Sequence, residues 1–309
     1  MKKLLKKVIS SQRFCSIKLR AIHFIINSGF TPIFIKKIVI KIRKYLPKVT
    51  ISINFSYDKH THGKLLLDLR SYCDREIFFN QFEPATYRFY AALLDRYQYK
   101  CVWDIGSYIG FYTILAGIKL KQQGKVYAFE PMLKTFARLK ENIKLNDLKN
   151  VKLFNVALAQ KNGFQEIYTL NVQHVTSSPT LSREWAQNNN FITKGKIATK
   201  NAFQQLHSGK LEKPDIIKID AETLEPEILG TIKDLLKGRD APDTICELMP
   251  PTLENLNKLL LEECGYKLYH INLNGAQEVE ELKMRRPFND YYLTKRGRRS
   301  HPIGVVHDI

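Results

Sequence analysis

The chain has 309 residues, 44% hydrophobic and 26% charged, which is enough apolar material for a sizeable core and excludes a disordered or collagen-like protein. Five scattered cysteines (Cys15, Cys73, Cys101, Cys246 and Cys264), with no C-x-x-C pair, exclude a disulfide scaffold or a structural zinc site and point to reduced thiols in the cytosol. The formal net charge of +19 is concentrated: residues 1–50 hold 13 Lys plus Arg and no acid, which leaves 36 bases against 30 acids elsewhere.

In chain order, the first stretch carries Val8, Cys15, Leu19, Ile22 and Ile26 at loosely helical spacing. Thr31-Pro32 then predicts a helix start, followed by Phe34, Ile35, Ile38, Val39, Ile42 and Leu46 on one face and Lys36, Lys37, Lys41, Arg43 and Lys44 mainly on the other. The longest charge-free run, Ala21 to Ile35, is 15 residues with His, Asn, Gly and Pro in it, too short and polar to span a bilayer. No signal-peptide pattern is present. The leader reads first as a basic amphipathic segment on an anionic membrane surface, making the protein cytoplasmic and peripheral, next as helices packed on their own domain, and last as a nucleic-acid contact or an organellar transit segment. His60-Thr-His62 is the only close histidine pair and has no acidic or cysteine partner at ligand spacing, so no metal site is assigned.

Cys101 to Ile105 predicts a strand, Gly106-Ser-Tyr-Ile-Gly110 a turn, and Phe111 to Leu120 a helix. The glycines do not fit G-x-G-x-x-G, which disfavours a nicotinamide or flavin; they fit D-x-G-x-x-x-G at Asp104, Gly106 and Gly110. The next strand, Lys125 to Phe129, ends in Glu130-Pro131, an acid placed to accept hydrogen bonds from a ribose. Taken singly, Asp104 could be a turn residue and Glu130 a helix-start carboxylate. A helix with Phe136, Leu139 and Ile143 and a strand at Asn150 to Phe154 follow, with Ala157 and Leu158 just beyond.

The segment Asn171 to Lys200 reads as a long irregular insert rich in Asn, Ser and Thr, suited to acceptor selection. Pro214 to Asp220 is a buried strand ending in an acid; Glu222, Glu225 and Glu227 surround the start of a helix near Pro226. Asp243 to Glu247, Tyr266 to Ile271 and Tyr291 to Lys295 are the remaining strands, with a helix over 252–264. Alternating strands and helices predict an α/β, doubly wound fold. A divalent ion between Asp220 and Glu247 is not separable by sequence from two unrelated strand-end acids.

These residues resemble the FkbM family of S-adenosylmethionine-dependent methyltransferases. The resemblance runs from Phe82-Glu83-Pro84 to about Asn272 and is carried by Val102-Trp-Asp-Ile-Gly-Ser-Tyr-Ile-Gly-Phe-Tyr-Thr113, Val126-Tyr-Ala-Phe-Glu-Pro131, Leu145 to Val151, Val156-Ala-Leu158, and Ile217-Lys-Ile-Asp-Ala-Glu222 with Glu225, Leu229 and Gly230. It implies a Rossmann-like class I methyltransferase sheet with an antiparallel closing hairpin, over 100–296, after the leader (1–50) and a lead-in of strand and helix (51–99) and before a basic tail (297–309). It implies S-adenosyl-L-methionine as cofactor, with Asp104, Gly106, Ser107 and Gly110 around its methionine and ribose, Glu130 on the ribose, Ala157 and Leu158 at the adenine, and Asp220 and Glu222 at the mouth as catalytic candidates. For Glu222 a helix-start carboxylate is the competing reading. Ser107-Tyr108 stands where the family usually has Ala-Asn, and Ala221-Glu222-Thr223 where it has Val-Glu-Gly; Thr223 adds a Cβ where the backbone calls for unusual dihedrals.

The function so implied is O-methylation of a hydroxyl on a saccharide, glycolipid or secondary metabolite. Two rivals differ in class. A nucleic-acid methyltransferase is suggested by the charge and by Met249-Pro250-Pro251, but Thr252 replaces the aromatic of an amino-methylating motif and the charge sits in the leader, so nucleic acid is disfavoured. A membrane-attached binding module with a degenerate methyltransferase fold is suggested by Tyr108 and Thr223.

Overall fold

In the computed structural model, residues 12–27, 47–170 and 179–295 are described, and they fall into two compact units divided at Pro84/Ala85. The helix expected from Thr31 lies outside the described residues.

The N-terminal unit contains α1 (Gln12–Asn27), the antiparallel hairpin β1 (Thr50–Ser56) and β2 (His62–Asp68), and α2 (Tyr72–Phe78). Leu19, His23 and Ile26 form the buried stripe of α1, three and four residues apart as a helix requires. His23 reaches two backbone carbonyls, with Nδ1 2.8 Å from the oxygen of Phe78 and Nε2 3.0 Å from that of Asn54. This helix therefore packs on its own unit through one face, while Phe24 remains 72% exposed on another. The turn between the strands is tied by Asp58, whose carboxylate accepts the Thr61 N–H at 2.7 Å.

The second unit begins with α3 (Pro84–Arg96) and builds an eight-stranded mixed sheet. Its strands are β3 (Cys101–Ile105), β4 (Lys125–Phe129), β5 (Val151–Phe154), β9 (Ile216–Ile219), β10 (Asp243–Glu247), β11 (Lys267–Asn272), β12 (Gly275–Val279) and β13 (Asp290–Thr294), in the spatial order β12-β11-β13-β10-β9-β3-β4-β5. From β5 to β10 all pairs are parallel, and β13 inserts antiparallel between β10 and β11. The glycine turn and the acids after β4, β9 and β10 consequently share the carboxyl edge of the sheet.

The closing region differs in detail from the sequence expectation. The expected closing pair is present, since β11 and β13 run antiparallel, and the structure adds β12, a strand the sequence reading missed, on the other side of β11. Strand β12, GAQEV, has one short buried position and little alternation, so periodicity could not find it.

Register sets the two faces. Ala128, Asp104, Lys218, Ile245 and Tyr292 are successive cross-strand partners and share one face. That face is covered by α3 and α4 (Phe111–Leu120): Phe89 packs on Tyr292 with centroids 5.3 Å apart, Tyr90 on Tyr112 at 5.6 Å, and Thr86 Oγ1 donates to Asp290 at 2.7 Å. The opposite face carries the main apolar core, in which Trp103, Phe129, Ile217, Cys246, Leu268 and Tyr291 meet the buried stripe of α8 (Glu225–Thr231) and α9 (Lys233–Lys237). Helix α5 (Leu133–Leu145) buries Leu139, Asn142 and Ile143.

Of the stretch expected to be irregular, residues 171–178 lie outside the described ones, and the remainder carries a short helix and a ten-residue strand that pairs with the strand just before the stretch. β7 (Gly163–Leu170) and β8 (Phe191–Lys200) form an antiparallel ribbon, β6 (Ala157–Leu158) joins it alongside β8, and α6 (Arg183–Asn188) lies between. Polar composition hid these strands, because a two-stranded ribbon with exposed faces needs only ladder hydrogen bonds and a few buried side chains such as Ile167 and Tyr168. A short helix, α7 (Ala202–His207), leads on towards β9; a further one, α10 (Leu253–Leu256), continues as a π-helical stretch to Glu263.

Candidate active site

The edge is organised by the turn between β3 and α4. Gly106, Tyr108 and Gly110 all stand in the left-handed region, with φ of 82°, 49° and 92°. The backbone N–H groups of Gly106 and Ser107 both donate to the carbonyl of Phe129 at 3.0 Å, and Ser107 Oγ donates to the Asp104 carbonyl at 2.7 Å. Asp104 itself is buried in β3, and Thr113 Oγ1 of α4 donates to its carboxylate. Burial pushes the Asp104 carboxyl up to about 6, against the opposing influence of Thr113 and Lys218.

Glu130 closes the turn from β4. One carboxylate oxygen accepts the Tyr108 N–H at 3.1 Å and the other accepts the Met132 N–H at 2.8 Å, leaving each oxygen with further acceptor capacity. Its burial, at 6% exposure, raises its pKa to about 8. Two asparagines that sequence reading passed over hold this geometry. Asn155 donates to the carbonyls of Glu130 and Pro131 at 2.9 and 3.0 Å, and Asn142 of α5, fully buried, donates to the Ile109 carbonyl at 2.9 Å. Asn142 lies on the apolar stripe with Leu139 and Ile143, and a polar residue on such a stripe is the signal that could have marked it.

On the other side of the turn, β9 delivers Asp220, whose N–H donates to the Ile105 carbonyl at 3.0 Å. Asp220 is half-buried, as is Glu222. Glu222 and Thr223 lie in a turn ahead of α8, with φ of 51° and 86°, so Glu222 is not a residue of the helix, and Thr223 does adopt the unusual dihedrals expected of the position. Glu225 is the acid that serves the helix start: its carboxylate accepts the Ala221 N–H at 2.7 Å, and burial raises it to about 7. Its other oxygen, Oε2, is buried and has no hydrogen-bond partner among the described residues.

The structure thus brings Asp104, Gly106, Ser107, Gly110, Glu130, Asp220 and Glu222 to adjoining turns of one sheet edge. Ala157 and Leu158 follow β5; Leu158 belongs to the core cluster with Phe129 and Phe154, and Ala157 is buried beside it in β6. Glu247 ends β10 opposite Asp290 of β13. Among the described residues no group of three or more His, Cys, Asp or Glu is placed to hold a metal ion.

A parallel sheet extended by an antiparallel strand threaded between its last two parallel-running neighbours, with an acidic glycine turn after the central strand and a carboxylate after the next, is a Rossmann-like α/β sheet with its acids gathered at the edge where such sheets bind ligands. Residues 104–268, more than half of the chain, match the Methyltransferase FkbM domain, and the chain belongs to that family. The match opens on Asp104 of the glycine turn and closes within β11.

Solved structures with a similar arrangement include the O-methyltransferase from Bacillus cereus in complex with SAH, with 14% identity, 68% of this chain and 80% of that one covered, and a TM-score of 0.41. Others are precorrin-6y C5,15-methyltransferase from Geobacter metallireducens (18%, 67% and 85%, 0.38) and a SAM-dependent methyltransferase from Agrobacterium tumefaciens (10%, 78% and 69%, 0.41). At these scores the family assignment rests on the domain match. No curated protein matches the chain.

As a member of this family the chain is an S-adenosylmethionine-dependent methyltransferase. The donor set suits that cofactor: a buried carboxylate with open acceptor positions stands at the end of β4, and further acids border the same edge, where a cationic sulfonium gains from negative charge.

Proposed function

We propose that the protein transfers methyl groups to a hydroxyl of a saccharide, glycolipid or related small molecule. The observation that carries this reading is the flanking of one glycine turn by Glu130 on β4 and by the Asp220–Glu222 turn after β9. Glu130 takes the ribose hydroxyls, Asp104, Gly106, Ser107 and Gly110 surround the ribose and methionine part, and Ala157, with Leu158 behind it, walls the adenine.

S-adenosylmethionine, when bound, supplies an electrophilic methyl group with its own leaving group. What remains for the protein is to align the acceptor, exclude water and remove a proton. Asp220 and Glu222 are the half-buried carboxylates at the mouth that can receive the hydroxyl proton as transfer proceeds. Acceptor recognition falls to the β7–β8 insert.

The leader contacts an anionic membrane surface at which such acceptors are assembled, so the protein is cytoplasmic and peripheral. Support comes from its 13 bases without an acid and from Phe24 and Ile25, exposed beside Arg20 on the outer side of α1. Among the described residues no helix is long and apolar enough to cross a membrane.

Calorimetric titration of the full chain with S-adenosylmethionine and S-adenosylhomocysteine tests the cofactor site, with saturable binding expected and lost in Glu130→Ala. Radiolabelled methyl transfer to a lipid and glycan extract is expected, with none to RNA or DNA. Transfer to nucleic acid would overturn the acceptor assignment, and absence of binding by the folded protein would favour a degenerate binding module.

A further inference from the structure

Thr180 joins two segments of the second unit that meet nowhere in sequence. Its backbone belongs to the β7–β8 insert, where it makes an isolated antiparallel bridge with Tyr168, N–H to carbonyl at 2.9 Å in both directions. Its side chain belongs to the active-site edge. Oγ1 donates to the carbonyl of Glu222 at 2.7 Å, 42 residues away, and lies 3.2 Å from Thr223 Oγ1. The same oxygen accepts the N–H of Ser182 at 3.0 Å, and Ser182 Oγ caps α6 by accepting the Trp185 N–H at 3.2 Å. Thr180 is 1% exposed, so water does not substitute for these contacts.

The turn it holds is one that does not hold itself. Consecutive left-handed residues at Glu222 and Thr223, the second β-branched, are strained and persist only where neighbours over-determine them. Glu225 restrains the turn from the α8 side through Ala221. Thr180 restrains it from the insert.

We infer that Thr180 is a positioning residue for methyl transfer, a latch through which docking of the β7–β8 insert and placement of Glu222 at the site become a single equilibrium. This rests on the reading of the Asp220–Thr223 edge as the cofactor and acceptor site. When the hydroxyl bridge is intact, a ligand that orders the turn orders the insert as well, and by linkage an ordered insert tightens ligand binding. Acceptor capture and presentation of the carboxylate are thereby coupled.

The test uses the full-length protein and S-adenosylhomocysteine. Affinity is measured by calorimetry and opening of the insert by the rate of tryptic cleavage after Arg183, exposed on α6. Saturating ligand is expected to slow that cleavage by about fivefold or more in wild type and in Thr180→Ser, which keeps the hydroxyl. In Thr180→Val, which keeps the shape and loses the bridge, protection is expected to vanish and affinity to fall about tenfold. Protection is read as the ratio of cleavage rates without and with ligand within each variant, so a general loss of stability, which raises both rates, does not by itself abolish it. Wild-type protein that binds the ligand without protection at Arg183, or a valine variant that binds and is protected like wild type, overturns the latch. Failure of folded wild type to bind at all, seen in the calorimetry alone, overturns the site reading and the latch with it.

Discussion

The carbonyl oxygen of Asp220 occupies the space that a side chain on Gly106 would need: a Cβ built at Gly106 lies 1.8 Å from it. The β3 turn and the β9 turn therefore touch through backbone alone, and the carboxyl edge is tight because the central residue has no side chain. Gly106→Ala meets that overlap at a φ of 82°, which alanine also resists. A loss of about 3 kcal/mol in stability and no measurable S-adenosylhomocysteine binding are expected, read by denaturant midpoint and calorimetry.

The Glu130 carboxyl, raised by burial to about 8, makes both stability and binding pH-dependent. Its folded pKa lies above its unfolded one, so between about pH 4.5 and 8 the native state of the unliganded protein holds a proton the unfolded state has released, and stability falls as pH rises. The slope from this group is at most about 1.4 kcal/mol per pH unit, and Glu130→Gln is expected to remove it. Ribose hydroxyls donate best to the ionised form; affinity for S-adenosylhomocysteine should accordingly climb up to about tenfold per unit below pH 8 and flatten above it. A flat affinity profile from pH 6 to 9 in wild type would contradict this.

Asn142 carries the turn from beneath, through its bond to the Ile109 carbonyl. Asn142→Leu leaves that buried carbonyl without this donor and should cost about 2 kcal/mol. Because Ile109 lies within the turn itself, cofactor affinity is expected to fall along with the thermal midpoint. A variant with lowered midpoint and unchanged affinity would separate Asn142 from the site.

His23 anchors α1 to the hairpin unit through two backbone carbonyls. His23→Ala is expected to weaken the docking of this helix by about 2 kcal/mol. Hydrogen exchange should then show faster exchange across residues 12–27, with the β3–β4 core unchanged. If membrane binding by the leader draws on α1, the same variant should bind anionic vesicles at least as well as wild type, since it frees a helix already exposing Phe24.

Much of the sheet was legible because its central strands are short apolar runs closed by turn signals. Cys101–Ile105, Lys125–Phe129 and Asp243–Glu247 fall where the sequence places them, as does helix Phe111–Leu120. Asp104, Gly106, Glu130 and Asp220 could be singled out because each stands at a strand end, where local pattern and ligand geometry coincide. The ribbon β7–β8 and strand β12 escaped because their stability lies in ladder bonds and register, which leave little mark on hydrophobic periodicity.

The sequence by itself determined the α/β class, the glycine turn with its acids, the family and the asymmetric charge, since all of these are written in residues close together. Only the tertiary structure decided that β13 lies between β10 and β11, that Asp220 seals Gly106, that Asn142 and Asn155 brace the turn and that Thr180 reaches Glu222. These contacts join segments far apart in the chain, and the partner that satisfies a buried carbonyl or fills a gap is selected by packing of the whole unit rather than by local propensity.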